Sequence, residues 1–137
     1  MGHTFEELSS RIIEAALAVH RELGPGLYES HYHKAMKVVL NHRNLAYSNQ
    51  KEVQVVFEGE DCGLLRLDLT VFDEALEIIV ELKAVEALHD IHFAQVRAYL
   101  KASRLHVGLL INFNVPHLRH GLQRIINGSL EDLSDRH

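Results

Sequence analysis

Two strand-like runs, Leu64 to Phe72 and Leu76 to Val85, flank the short Asp73-Glu74-Ala75 connection. This segment constrains the fold most, because so short a link closes a hairpin and decides which residues oppose each other. Strand side chains repeat with period two. Arg66, Asp68 and Thr70 are therefore expected on one face, with Leu65, Leu67, Leu69 and Val71 on the other. On the second run Ile79, Glu81 and Lys83 share a face, opposite Ile78, Val80 and Leu82. A turn centred between Glu74 and Ala75 sets Asp68 against Glu81 and Arg66 against Lys83. A slip of one residue would put the two acids on different faces.

Helical patterns lie on both sides of the hairpin. Thr4 followed by Glu7 reads as a helix cap, after which Leu8, Ile12, Ala15, Ala16, Val19 and Leu23 recur at helical spacing. Gly24-Pro25-Gly26 ends that helix, and a second is expected from about Leu27 to Asn41, with Tyr32, Ala35, Met36, Val39 and Leu40 on its apolar side. Val53, Val55 and Phe57 mark a strand bounded by Gly59. His89 to Arg104 returns to helical spacing, and Leu105 to Phe113 is a nearly continuous apolar strand interrupted by Asn112. Leu118 to Ile126 fits either a helix or a final strand. The expected fold class is α/β, in the order α-α-β-β-β-α-β with a last strand added, forming a mixed central sheet flanked by helices.

With 47% hydrophobic residues, the chain reads as one globular domain over residues 1–137, with a polar tail from about 128. The lone Cys62 cannot form an intrachain disulfide, and no apolar run approaches the roughly 20 residues of a membrane span. A cytoplasmic, membrane-free protein is the simplest expectation. The formal net charge of −5 counts against a strong long-range pull on polyanions, although it leaves room for a local basic groove.

The hairpin register carries the chemistry. Two carboxylates directly opposite each other stand about 5 Å apart at Cβ. Their repulsion makes an empty site costly unless a proton or cation intervenes. Hard oxygen donors of this kind suit Mg²⁺ or Mn²⁺. Lys83 could orient an attacking water or offset charge developing on phosphorus. The bland alternative is a buried ion-pair network, but placing charges on an apolar strand is expensive without a purpose. Glu29 falls on the apolar side of the second helix, again an unusual place for an acid without a partner. Gln95 and Tyr99, four apart, share one face of the next helix and could bond phosphate oxygens or the Lys83 amine.

In this combination the chain resembles the PD-(D/E)XK, or restriction-endonuclease-like, nucleases, and within them the GxxExxY proteins. The naming motif stands as Gly26-Leu27-Tyr28-Glu29-Ser30-His31-Tyr32. The similarity continues through Arg66-Leu67-Asp68, Glu81-Leu82-Lys83-Ala84-Val85, Gln95 to Leu100 and Gly108 to Phe113, covering about Leu8 to Ile126. The resemblance implies that Asp68, Glu81 and the Leu82 carbonyl hold a divalent ion and that Lys83 is the catalytic lysine. By the same resemblance Glu29 meets a water of the ion's shell or a second ion, while Gln95 and Tyr99 match the helix motif of the recombination-exonuclease branch. The proline that often precedes the first acidic motif is replaced by Leu67. DNA or RNA is the implied partner. Monomer or homodimer is left open.

Eleven histidines invite a zinc site, but no Cys-rich knuckle or His-Glu-x-x-His segment accompanies them, so structural or surface roles are expected. Two other readings compete with an active nuclease: an inactive nuclease-fold interaction module, and a metal phosphatase acting on a small substrate.

Overall fold

The computed structural model describes residues 3–128, so the polar tail lies almost entirely outside the described residues. The first helix, α1 (Phe5–Leu23), starts where Thr4 Oγ1 accepts the Glu7 N–H at 3.1 Å, and ends at Gly24, whose φ of 69° suits glycine. Helix α2 (Glu29–His42) buries Tyr32, Met36 and Leu40. Strands β1 (Ala46–Phe57), β2 (Glu60–Phe72) and β3 (Glu77–Lys83) form a meander, followed by α3 (Asp90–Ser103) and β4 (Val107–Asn112). The ambiguous stretch near the end resolves into a 3₁₀ turn, Leu118–Gly121, and strand β5 (Leu122–Ile126).

The five strands lie in sequence order, all neighbours antiparallel except β3 and β4. That parallel pair needs a crossover, which α3 supplies. Helices α1 and α2 cover one side of the sheet through Leu8, Ile12, Tyr32, Met36, Leu69, Val80, Leu82 and Phe113. Helix α3 covers the other through Val96 and Leu100, packed with Leu67, Ile79, Leu110 and Ile125. Gly108 permits this contact: a Cβ there would stand 2.8 Å from Val96 Cγ1.

The β2–β3 turn is fixed by one side chain. Asp73 Oδ1 accepts the N–H groups of Ala75 and Leu76, both at 3.0 Å, while Oδ2 accepts from His3. The resulting pairs run from Phe72–Glu77 to Leu69–Val80, the register of a turn centred between Glu74 and Ala75. The ladder stops there, one step short of Asp68 and Glu81.

The expected alternation on β2 does not survive that point. Leu65 and Leu67 pack with α3, but Leu69 and Val71 pack with α1 and α2. On β1 the same change separates Tyr47 from Val53. Both strands thus exchange faces near Asp68, where Gln50 on β1 has φ 55° and is skipped by the ladder. A residue outside extended geometry breaks the period-two alternation, while the pairing register is the same on both sides of Gln50 and shifts only between Gln54 and Val56. Beyond this point the hairpin reaches outward, exposing Val56, Phe57, Cys62 and Leu64 near its tip.

Candidate active site

Glu29 is delivered by a loop whose geometry explains its motif. Gly26 adopts φ 104°, allowing the chain to turn between α1 and α2. Tyr32 then holds the turn from below: its hydroxyl donates to Gly24 O at 2.6 Å and accepts from Leu27 N at 3.1 Å. The Tyr32 ring stacks on Phe113, centroids 4.5 Å apart, which ties this corner to the end of β4. Glu29 is the first residue of α2, in the turn where a helix favours negative charge.

Asp68 and Glu81 meet where the β2–β3 ladder ends. Glu81 is buried, with 4% of its surface exposed, and its Oε2 has no hydrogen-bond partner. Burial first, then the Asp68 charge, pushes the Glu81 carboxyl up to about 8 against the lowering pull of Lys83, with a hydrogen-bonding approach of the Asp68 carboxyl and the Glu29 charge adding to the rise. Oε2 itself is left without a hydrogen bond of good geometry. Lys83 Nζ lies 3.7 Å from Glu81 Oε1. Glu29 is raised too, chiefly by desolvation and also by Asp68, while Lys83 and His33 oppose the rise. On α3, desolvation followed by the charges of Glu81 and Asp68 raises the Tyr99 phenol, while a hydrogen bond with Gln95 acts the other way. Tyr99 therefore keeps its proton at neutral pH and can donate it in a hydrogen bond.

Glu29, Asp68, Glu81 and Lys83, from α2, β2 and β3, thus act on one another electrostatically, Tyr99 on α3 feels Glu81 and Asp68, and Gln95 joins them through its hydrogen bond with Tyr99. Glu29 does not complete a ligand cluster: among the described residues, no three or more His, Cys, Asp or Glu are grouped so as to hold a metal ion. A divalent cation still fits the donor set at one point, because Glu81 Oε2 is a buried acceptor beside Asp68 with no hydrogen bond, while Lys83 stands on the other oxygen of that carboxyl. Leu82, whose carbonyl the resemblance implicates, lines the adjacent cleft with Glu29, Ser30, His33, Gln50 and Asp68. The cleft measures about 180 Å³. Hollows of about 480 Å³ beside Pro116 and about 460 Å³ between β1 and α3 are larger, but neither is lined by a carboxylate.

Asn112 braces the site from behind. Its Oδ1 accepts from Val85 N and Asn114 N at 3.0 and 3.2 Å, and its Nδ2 donates to Val85 O at 3.0 Å. The chain leaving Lys83 is therefore clamped to β4, which accounts for a polar residue on that apolar strand. A Cβ on Gly121 would overlap Asn112 O at 2.1 Å, so only glycine lets the following turn close over this corner.

Several histidines have structural work. His31 Nδ1 accepts Tyr28 N–H at 3.1 Å, and His92 Nδ1 accepts His89 N–H at 3.0 Å, so each closes the start of a helix. His20 Nε2 bonds Val115 O at 2.7 Å. His33 is different: it lines the cleft, with Nε2 3.4 Å from Asp68 O. Sequence reasoning did not single it out, although its spacing of four from Glu29 places both on one helix face. Gln50 was also missed, and its backbone conformation leaves no mark in the sequence pattern.

The model of the PD-(D/E)XK nuclease superfamily matches residues 6–125 of this chain. The chain belongs to that superfamily. No curated protein and no solved structure shows a significant match. Among the described residues, no helix is long and apolar enough to cross a membrane.

Proposed function

We propose that this chain, read as a single domain of the GxxExxY kind, is a cytoplasmic nuclease that hydrolyses DNA or RNA phosphodiester bonds using Mg²⁺ or Mn²⁺ and water. The observation that carries the reading is the buried, unpartnered Glu81 Oε2 beside Asp68, with Lys83 on the other carboxylate oxygen. Asp68, Glu81 and the Leu82 carbonyl would hold the ion. When bound, it would polarise a phosphoryl oxygen and make water a better nucleophile at neutral pH.

The side chains perform the remaining work. Lys83 stays near the acids through Glu81 and offers an N–H to charge that grows on phosphorus as the bond breaks. Gln95 and Tyr99 donate hydrogen bonds from α3, Tyr99 as a neutral phenol. Glu29 stands across the cleft as an acceptor able to orient water or receive its proton, helped by a carboxyl raised above its ordinary range.

A cleavage screen tests the proposal, using linear, branched and single-stranded DNA and RNA with Mg²⁺, Mn²⁺ or EDTA. Wild type should cleave at least one substrate only with a divalent ion, and Glu81→Ala should lose nearly all turnover. Equal cleavage by both proteins would reject this site. Confirmed ion binding without cleavage of any substrate would favour the interaction module instead.

A further inference from the structure

Gln50 is a residue at which the edge strand leaves extended backbone without a change of pairing register. Its φ of 55° lies in the left-handed region within β1, and the ladder pairs Asn49 with Leu69 and Lys51 with Leu67 while passing over Gln50 and Asp68. Glycine or asparagine is the usual occupant of such a position, because a Cβ there crowds the following carbonyl oxygen, a cost glycine escapes and asparagine offsets by hydrogen-bonding locally. Strained residues of this kind persist where the surroundings impose them, commonly at working sites. Here the exposed residue lines the same cleft as Glu29, His33 and Asp68, and no hydrogen bond of its amide occurs among the described residues.

From this placement we propose that Gln50 is a substrate-contacting residue whose amide N–H binds a phosphate oxygen of a nucleic-acid strand lying over the cleft. The inference rests on the nuclease reading and adds the element that reading lacks, a neutral donor on the β1 side. Its neighbours Glu29 and Asp68 repel a polyanion, whereas an amide brings donors without adding negative charge or displacing a cation. The face exchange of β1 and β2 is what turns this position toward the acids.

Two substitutions separate the amide from the backbone. Gln50→Gly accepts the left-handed φ and removes the amide, whereas Gln50→Asn accepts the φ and keeps a shorter amide. Melting temperature, oligonucleotide binding by fluorescence anisotropy in Ca²⁺, and cleavage in Mg²⁺ should be measured for both, beside wild type and Glu81→Gln. Gln50→Gly should melt at or above wild type yet bind about fivefold to tenfold more weakly, in keeping with one lost hydrogen bond. Gln50→Asn should recover part of the affinity. Wild-type affinity in Gln50→Gly would overturn the inference, as would a lowered melting temperature with binding that Gln50→Asn does not restore. If wild type cleaves and Glu81→Gln does not, the nuclease reading stands whatever happens at Gln50. A wild type that binds no DNA or RNA would overturn both.

Discussion

Replacing Glu81 by glutamine should stabilise the ion-free protein, and the gain should grow with pH. The carboxyl titrates near 8 when folded against 4.5 as its ordinary value, because it is buried beside Asp68. Below pH 4.5 it is protonated in both states and costs nothing extra. Between 4.5 and about 8 the folded state holds a proton that the unfolded state has released, so stability falls as pH rises. At about 1.36 kcal/mol per pH unit the full span sets a ceiling of about 5 kcal/mol, reached above pH 8. Local relaxation, water entry and the lost Lys83 contact reduce the expected gain to about 2–3 kcal/mol at pH 8.5, falling toward zero near pH 4.5. Urea denaturation in EDTA at pH 5, 7 and 8.5 measures it. Adding Mg²⁺ should stabilise wild type by about 2.7 kcal/mol at a hundred times its dissociation constant, and leave Glu81→Gln nearly unchanged. A variant less stable than wild type at pH 8.5, or a gap independent of pH, would refute the reasoning.

Asp73→Ala should cost about 1 kcal/mol at pH 7, allowing for solvent screening. Its partial burial opposes ionisation, but hydrogen bonds from His3, Ala75 and Leu76 outweigh that and lower the carboxyl to about 2, so the contribution is present above pH 3.8 and lost as pH falls through 2. The gap between the denaturation midpoints of the two proteins should be nearly the same at pH 7 and 4 and shrink to about a third at pH 2.5; a constant difference would contradict this account. Tyr32→Phe keeps the ring on Phe113 but leaves the Gly24 carbonyl and Leu27 N–H without their partner. It should lower stability by about 1–3 kcal/mol at an unchanged urea m-value, and an unaltered midpoint would deny the hydroxyl its bracing role.

The hairpin register was legible because Asp73 and its short turn leave little freedom, and because apolar residues bracket both acids. The helices were legible from spacing and caps. Strand β1 was read only from Val53 onward, whereas it begins at Ala46. Its first half runs Tyr47-Ser48-Asn49-Gln50-Lys51 along an exposed edge, where no buried face imposes alternation. The start of β2 at Glu60 was hidden for the same reason, since Glu60 to Leu64 is exposed throughout. The face exchange was illegible in a stricter sense. Period-two reasoning assumes extended backbone at every residue, and a single left-handed glutamine breaks that assumption without changing the hydrophobic pattern. Glu29, Asp68, Glu81, Lys83, Gln95 and Tyr99 could be picked out because each is polar where packing favours apolar groups or lies at a matching helical spacing. His33 and Gln50 sit on polar surfaces, where nothing in composition distinguishes them.

The outward reach of the β1–β2 hairpin also makes the protein convenient to observe. Cys62 is the chain's single cysteine, is exposed, and stands close to the hairpin tip. Along β2 it is six residues from Asp68, roughly 20 Å at about 3.3 Å per strand residue. A thiol-reactive dye would therefore attach at one defined place without any engineered change. That separation is short enough for resonance energy transfer to a labelled oligonucleotide in the cleft, and long enough to keep the dye clear of Glu81. The unmodified sequence thus carries its own reporter position, from which arrival and departure of a strand can be timed separately from bond cleavage.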